Sequence, residues 1–417
     1  MTALTDSLSV SVSFTYVRFI PMTPPSNHTT RVRFEWADAY KGVAILFVVM
    51  IHVFGRFMGL YPVRCFQWYV IGFLHGIADC AVPAFLLLSV IVNANSLLLK
   101  KDYRRYYINR LQTIAYPYVI WSVLYYFLYI RQKGFSFSLF DLFHLILIGK
   151  AYDHLYFLWV LLQIIVVLPF LIPIFRKMPV MKIILSIIAL NLCVKVGLIV
   201  ILHSNSLLER SALRYIPMIL MGIYLASKPR ELSRRIQQSA PWIILMVMIA
   251  GFFYIPDSMI VHNHESRLSI ISHSFPNIMD ERGNHFLPLG VNANGSKSAS
   301  LHNSAQTSWH AIFHAIRKSV RSWFFTLLAS LSLMLLAIEW SSGSRLKNLF
   351  ELIGEYSLQI YLFHPMVLLV LDRLQFVSAY IGKFLTMILY ILFAILLSYM
   401  FAKLAERLRI SRFLFGR

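Results

Sequence analysis

The chain has 417 residues, of which 58% are hydrophobic and only 14% charged, and it carries a formal net charge of +21. Long apolar runs in so weakly charged a chain exclude a soluble globule and indicate an all-α polytopic membrane protein. The basic excess is assigned to loops on the cytoplasmic side and not to a nucleic-acid partner, because no basic soluble domain is present to hold one.

Residues 1–35 are polar and rich in Ser and Thr, with no basic start leading into an apolar core. They are expected to form a cytoplasmic tail rather than a cleaved signal. The first membrane-spanning helix is expected at about 39–57. From Gly42 to Ile51 every residue is apolar or glycine, and the run is bounded by Lys41 and His52. These two lie about three helical turns apart on nearly one face, ~16 Å along the axis. Asp38 and Arg56 extend the same polar stripe by steps of three and four residues. A polar stripe on a membrane helix is costly unless it faces a bundle interior or a wet cavity. The competing reading is a snorkelling lysine and a histidine that only bonds a neighbouring helix.

The second span, about 68–94, contains Asp79 and Val82-Pro-Ala-Phe-Leu-Leu-Leu-Ser89. A basic link with Arg104, Arg105 and Arg110 leads into the third, about 110–130, which carries Tyr116-Pro-Tyr118 and Trp121. A loop at 131–153 holds an amphipathic piece around Leu139–Leu147. Further spans are expected at about 154–175, 181–202, 212–227 and 240–256, the fifth with Lys195 inside it. Residues 257–320 have no long apolar run and read as an extracytoplasmic loop or cap. The last three spans are expected at about 322–340, 355–372 and 380–403, followed by a basic cytoplasmic tail at 404–417. The pattern totals about ten helices in a membrane domain spanning 36–403, and the basic loops place both termini in the cytoplasm. Cys65, Cys80 and Cys193 have no metal-type spacing, and no metal site is expected.

The candidate chemistry follows from the intramembrane ionisable groups. Lys41 with Arg104, Arg105 and Arg110 suits a polyanionic cytoplasmic donor such as a nucleotide-bearing thioester. His52 is the natural general base for a hydroxyl attacking a thioester carbonyl. Asp79 is the acid that could set its tautomer, or else a helix-packing hydrogen bond. Ser89 is read as a small packing residue before a nucleophile. His154 and His364 either line the acceptor site or mark helix ends. The same His, Lys and Asp set also fits a transporter or flippase with a proton relay, although no internal repeat supports one. A membrane scaffold or sensor with an outer cap would leave the His52 stripe idle.

Five motifs, in order, resemble the acyltransferase 3 family of integral-membrane sugar O-acyltransferases. Lys41 followed by ten residues and His52 resembles its first-helix signature, with Lys for the usual Arg. Val82-Pro-Ala-Phe-Leu-Leu-Leu-Ser89 is similar to a Val-Pro-x-Phe-Phe-x-x-Ser-Gly stretch, with Val90 in place of Gly. Arg110 with Tyr116-Pro-Tyr118 and Trp121 resembles the Arg-rich entry to the third helix. Asp153-His-Leu-Tyr-Phe157 is similar to a His-Leu-Trp-Phe motif, and Ser357 to His364, through Tyr361, resembles a late Ser-x-x-x-Tyr-Leu-x-His element. The resemblance implies transfer of an acyl group, commonly acetyl from acetyl-CoA, to a carbohydrate or lipid-linked glycan at a bacterial-type cytoplasmic (inner) membrane. It gives His52 the catalytic role and Lys41 that of its basic partner. Tyr118, Trp121, His154, Tyr361 and His364, with Ser89, are then expected on the acceptor side or in support of it. The 257–320 segment has no counterpart in it.

Overall fold

The computed structural model describes residues 34, 36–100, 102–134, 136–202, 210–228, 237–274, 309–340, 344–373 and 381–416. Every regular element among them is helical, with no strand. From the N-terminal side these are α1 (Trp36–Met58), α2 (Phe66–Ala78), α3 (Ala81–Lys100), α4 (Tyr103–Arg110), α5 (Tyr116–Lys133) and α6 (Leu139–Leu147). There follow α7 (Tyr156–Phe175), α8 (Val180–Leu202), α9 (Ile216–Ser227), α10 (Ala240–Ser274) and α11 (Trp309–Glu339). The last are α12 (Arg345–Glu355), α13 (Ser357–Leu371), α14 (Lys383–Arg407) and α15 (Ser411–Phe415).

Among the described residues, six helical stretches are long and apolar enough to cross a membrane. The pair α12 and α13, bent by 77° at Tyr356, makes up to a seventh. Three shorter apolar helices, Val180–Val194, Ala212–Ser227 and Ala240–Pro256, fall at the fifth, sixth and seventh expected spans. Each expected span is thus helical, and among the described residues length and composition mark six crossings, or seven with the bent pair.

Helix α1 is the hub. It packs against α2, α3, α10, α11, α12, α13 and α14, and its face from Ala39 to Met58 is largely buried. Two glycines bring α12 onto it. A Cβ on Gly354 would run into the backbone carbonyl of Asp38 and the amide of Gly42, and one on Gly42 into the carbonyl of Phe350. Only glycine allows two helix backbones to meet this closely.

Three departures from expectation have local causes. The second span is broken at Asp79, which ends α2. The third is entered through a π-helical turn, Leu111–Ala115, in which the amide of Tyr116 reaches the carbonyl of Leu111. Pro117 supplies no amide to the preceding turn, and the wider π turn absorbs that loss. Helix also enters both ends of the stretch expected as a loop: α10 continues past Pro256 to Ser274, and α11 already begins at Trp309. The central part of that stretch, 275–308, lies outside the described residues, as does the expected tail at 1–33.

The basic C-terminal tail is a docked hook rather than a loose end. α14 stops at Arg407, Arg409 turns the chain with φ 59°, and α15 folds back against α5. Phe415 is fully buried and stacks on Trp121 at 5.9 Å, and the indole Nε1 of Trp121 donates to the carbonyl of Leu414 at 2.9 Å.

Candidate active site

Three histidines from distant parts of the chain meet beside α1. His52 is half-buried on α1. His364, on α13, has its ring centroid 5.2 Å from that of His52 and no exposed surface. His154, in the 3-10 turn Asp153–Leu155 that leads into α7, has its ring centroid 5.8 Å from that of His364 and is 2% exposed. Tyr361, one turn before His364, donates its hydroxyl to the backbone carbonyl of His154 and so ties α13 to that turn. Tyr125 packs edge-on to His154 at 4.8 Å and donates to the carbonyl of Leu362 at 2.8 Å. Tyr152 stacks on Tyr125 at 4.4 Å.

The hydrogen bonds decide how His364 can act. Its Nδ1 lies 3.0 Å from the carbonyl oxygen of Ile360. A carbonyl can only accept, so Nδ1 carries the proton and the lone pair of the neutral ring sits on Nε2. That Nε2 is buried and meets no polar partner among the described residues. Both ring nitrogens of His154 are in the same condition. Buried polar atoms are nearly always satisfied. Three unsatisfied imidazole nitrogens within one cluster therefore mark a place where a bound molecule or water completes the bonding. Among the described residues no group of three His, Cys, Asp or Glu is arranged to hold a metal ion.

One ion pair holds the two histidine helices in register. Arg56, one turn beyond His52, bonds through Nε to Oδ2 of Asp372 at the end of α13, at 3.2 Å. Its Nη1 donates to the carbonyl of His52 at 2.8 Å. Sequence reasoning placed Arg56 on the polar stripe but missed Asp372, an isolated acid at the end of an apolar run.

The remaining expected residues sort by position. Asp79 ends α2. Its Oδ1 faces Nδ1 of His75 at 3.4 Å, and its Oδ2 accepts from Tyr254 at 2.9 Å and Ser258 at 2.7 Å. It thereby joins α2 to α10. His75, four residues earlier on the same helix, is the partner that i,i+4 spacing could have pointed to. Lys41 pairs with Asp38 at 2.6 Å, at the far end of α1 from the cluster. Arg104 and Arg105 are exposed on α4, and the Arg110 guanidinium lies 6.0 Å from the centre of the Tyr106 ring. Ser89 sits on α3, its carbonyl accepting from Asn93 at 2.7 Å. Tyr118 donates to the carbonyl of Ile146 at 2.5 Å. Trp121 packs on the C-terminal hook and on Tyr125, at 5.8 Å, and so reaches the histidines through Tyr125, while Tyr118 makes no ring contact with them among the described residues. Of the expected acceptor-side set, His154, Tyr361 and His364 join His52.

A family model described as an acyltransferase domain, acyltransferase 3, matches residues 34–403. No curated protein and no solved structure matches the chain.

Proposed function

From the premise that this chain belongs to the acyltransferase 3 family, and is by that membership a multi-pass membrane acyltransferase, we propose that it moves an acyl group, acetyl in the simplest case, from acyl-CoA on the cytoplasmic side to a hydroxyl of a cell-surface or lipid-linked carbohydrate. The membrane is proposed to be a bacterial cytoplasmic one. The observation that carries this reading is the juxtaposition of His52 with His364, whose lone-pair nitrogen is buried and unpartnered.

The chemistry needs one proton movement. The acceptor hydroxyl attacks the thioester carbonyl, a C–O bond forms and the C–S bond breaks. The hydroxyl proton passes to a ring nitrogen of His52 and then to the leaving thiolate, so the enzyme ends unchanged. His364 lies beside the same ring and can take a hydrogen bond from the acceptor through Nε2. Tyr361, Tyr125 and the Arg56–Asp372 pair are positioning residues that keep the rings in place. General acid–base catalysis of this kind contributes typically ~10²–10⁴-fold.

The test uses purified full-length protein in vesicles, with [¹⁴C]acetyl-CoA on one side and a glycan acceptor on the other. Label is expected to appear on the acceptor as free thiol is released. Movement of unmodified solute without loss of thioester would replace this reading with a transporter.

A further inference from the structure

The bend between α12 and α13 and the C-terminal hook border a half-open cleft of about 390 Å³, within the range of small-molecule sites. Gln359, on the first turns of α13, lines it and is only 5% exposed, yet its Oε1 has no hydrogen-bond partner among the described residues. Arg409 and Arg412 line the side formed by the hook. No ion pair or side-chain hydrogen bond falls on either guanidinium among the described residues. Arg409 holds a left-handed conformation, φ 59°, at the turn into the hook.

Two further features narrow the ligand. Helix α13 starts at Tyr356 without a side-chain cap, and the positive end of its dipole lies at the bend. Glu355 and Glu406 share the cavity with the arginines. Glu406 is already engaged by Lys403 at 3.6 Å and by the hydroxyl of Tyr356 at 3.1 Å. Inorganic phosphate alone would gain nothing from carboxylates in its site. A phosphorylated ribonucleoside would, because its ribose hydroxyls and exocyclic amine are donors.

The cavity and the histidine cluster share α13. Gln359 precedes His364 by five residues of the same helix, ~7.5 Å of axial rise. It lies near the Lys41 end of α1, since Gly354 abuts Asp38 and Gly42.

We propose that this cavity binds the nucleotide end of the acyl-CoA donor. Its phosphates meet Arg409, Arg412 and the start of α13. Gln359 hydrogen-bonds the thioester-bearing arm as it leaves for His364 and His52. The proposal rests on the acyltransferase reading above. It moves the principal anion contacts from Arg104, Arg105 and Arg110 to the C-terminal hook.

The experiment is calorimetric titration of the purified full-length protein in detergent with CoA and with adenosine 3′,5′-bisphosphate. The double variant Arg409→Ala/Arg412→Ala is expected to weaken both ligands at least about tenfold, the equivalent of losing one charge-assisted contact. Arg409→Lys/Arg412→Lys is expected to recover part of that loss. Gln359→Ala is expected to weaken CoA and leave the bisphosphate within about twofold, because the amide faces the arm. Fluorescence of Trp121 stacked on Phe415 reports whether the hook stays docked in each variant. Equal CoA affinity in wild type and the double arginine variant, with the hook docked, would overturn this site and leave the donor reading intact. Failure of the wild type itself to bind CoA would overturn the donor reading. Loss confined to an Arg104→Ala/Arg105→Ala variant would return the anion site to α4.

Discussion

The two ends of α1 handle polarity in opposite ways. Near its start, Lys41 is paired with Asp38, and the backbones of α1 and α12 close over Gly42 and Gly354 with no room for a side chain. About three turns further on, His52 meets a ring whose Nε2 is buried without a partner, beside His154 with two more such nitrogens. One helix thus carries a closed structural joint and an open chemical site. The difference lies in which polar atoms have been satisfied, since an unsatisfied buried group is tolerated only where something else depends on it.

The largest effect expected from breaking this contrast is at His52. Glutamine can keep a helix–helix hydrogen bond but cannot take up a proton at neutral pH. His52→Gln is therefore expected to lower acyl transfer by ~10²–10⁴-fold, with expression and thermal midpoint matched to wild type. Transfer within a few-fold of wild type would make the histidine end as structural as the lysine end, and the contrast would disappear. The joint is next. Gly354→Val puts a branched side chain where the Asp38 carbonyl and Gly42 amide already stand. Overpacking of this kind costs ~1–3 kcal/mol, so a lowered thermal midpoint is expected. Any activity lost should return in proportion to the folded protein recovered, unlike the His52 variant.

What could be read from the sequence was local. The Lys41–His52 run, its helical period and the helix at each expected span follow from spacing within a few turns. Arg56 was visible on the same stripe for that reason. The meeting of His52 with His364 and His154 is not local: the three lie on α1, on α13 and before α7, and only the packing of those helices brings them together. The partners of Asp79 on α10, Tyr254 and Ser258, lie 175 and 179 residues away, a distance across which spacing carries no signal. The docking of α15 on Trp121 was not legible, because Phe413-Leu-Phe415 is too short an apolar cluster to announce a docked helix. Helix on both sides of 275–308 escaped notice for a different reason. A helix that leaves the hydrocarbon region needs no continuous apolar run, so hydropathy marks only the part of it that must be apolar.

The smallest expected effect sharpens the contrast from the lysine side. Lys41 and Asp38 form an i,i+3 pair with side chains 27% and 22% exposed, and partly solvated pairs of this kind contribute ~0.2–1 kcal/mol. Lys41→Ala should therefore leave the thermal midpoint nearly unchanged, in contrast with Gly354→Val on the same joint. If the pair is only structural, transfer kinetics should be equally indifferent. If the Lys41 charge also attracts the donor, as its position near the start of α13 suggests, Lys41→Ala should raise KM for acyl-CoA while kcat holds, because uniform binding is lost and the transition state is untouched. Lys41→Arg keeps the charge and can still reach Asp38, so KM is expected within about twofold of wild type. Steady-state kinetics of the three proteins at saturating acceptor separate the cases. A fall in kcat for Lys41→Ala at unchanged KM would place Lys41 with the histidines in the chemical step, and α1 would then carry one continuous site along its length instead of a joint and a site.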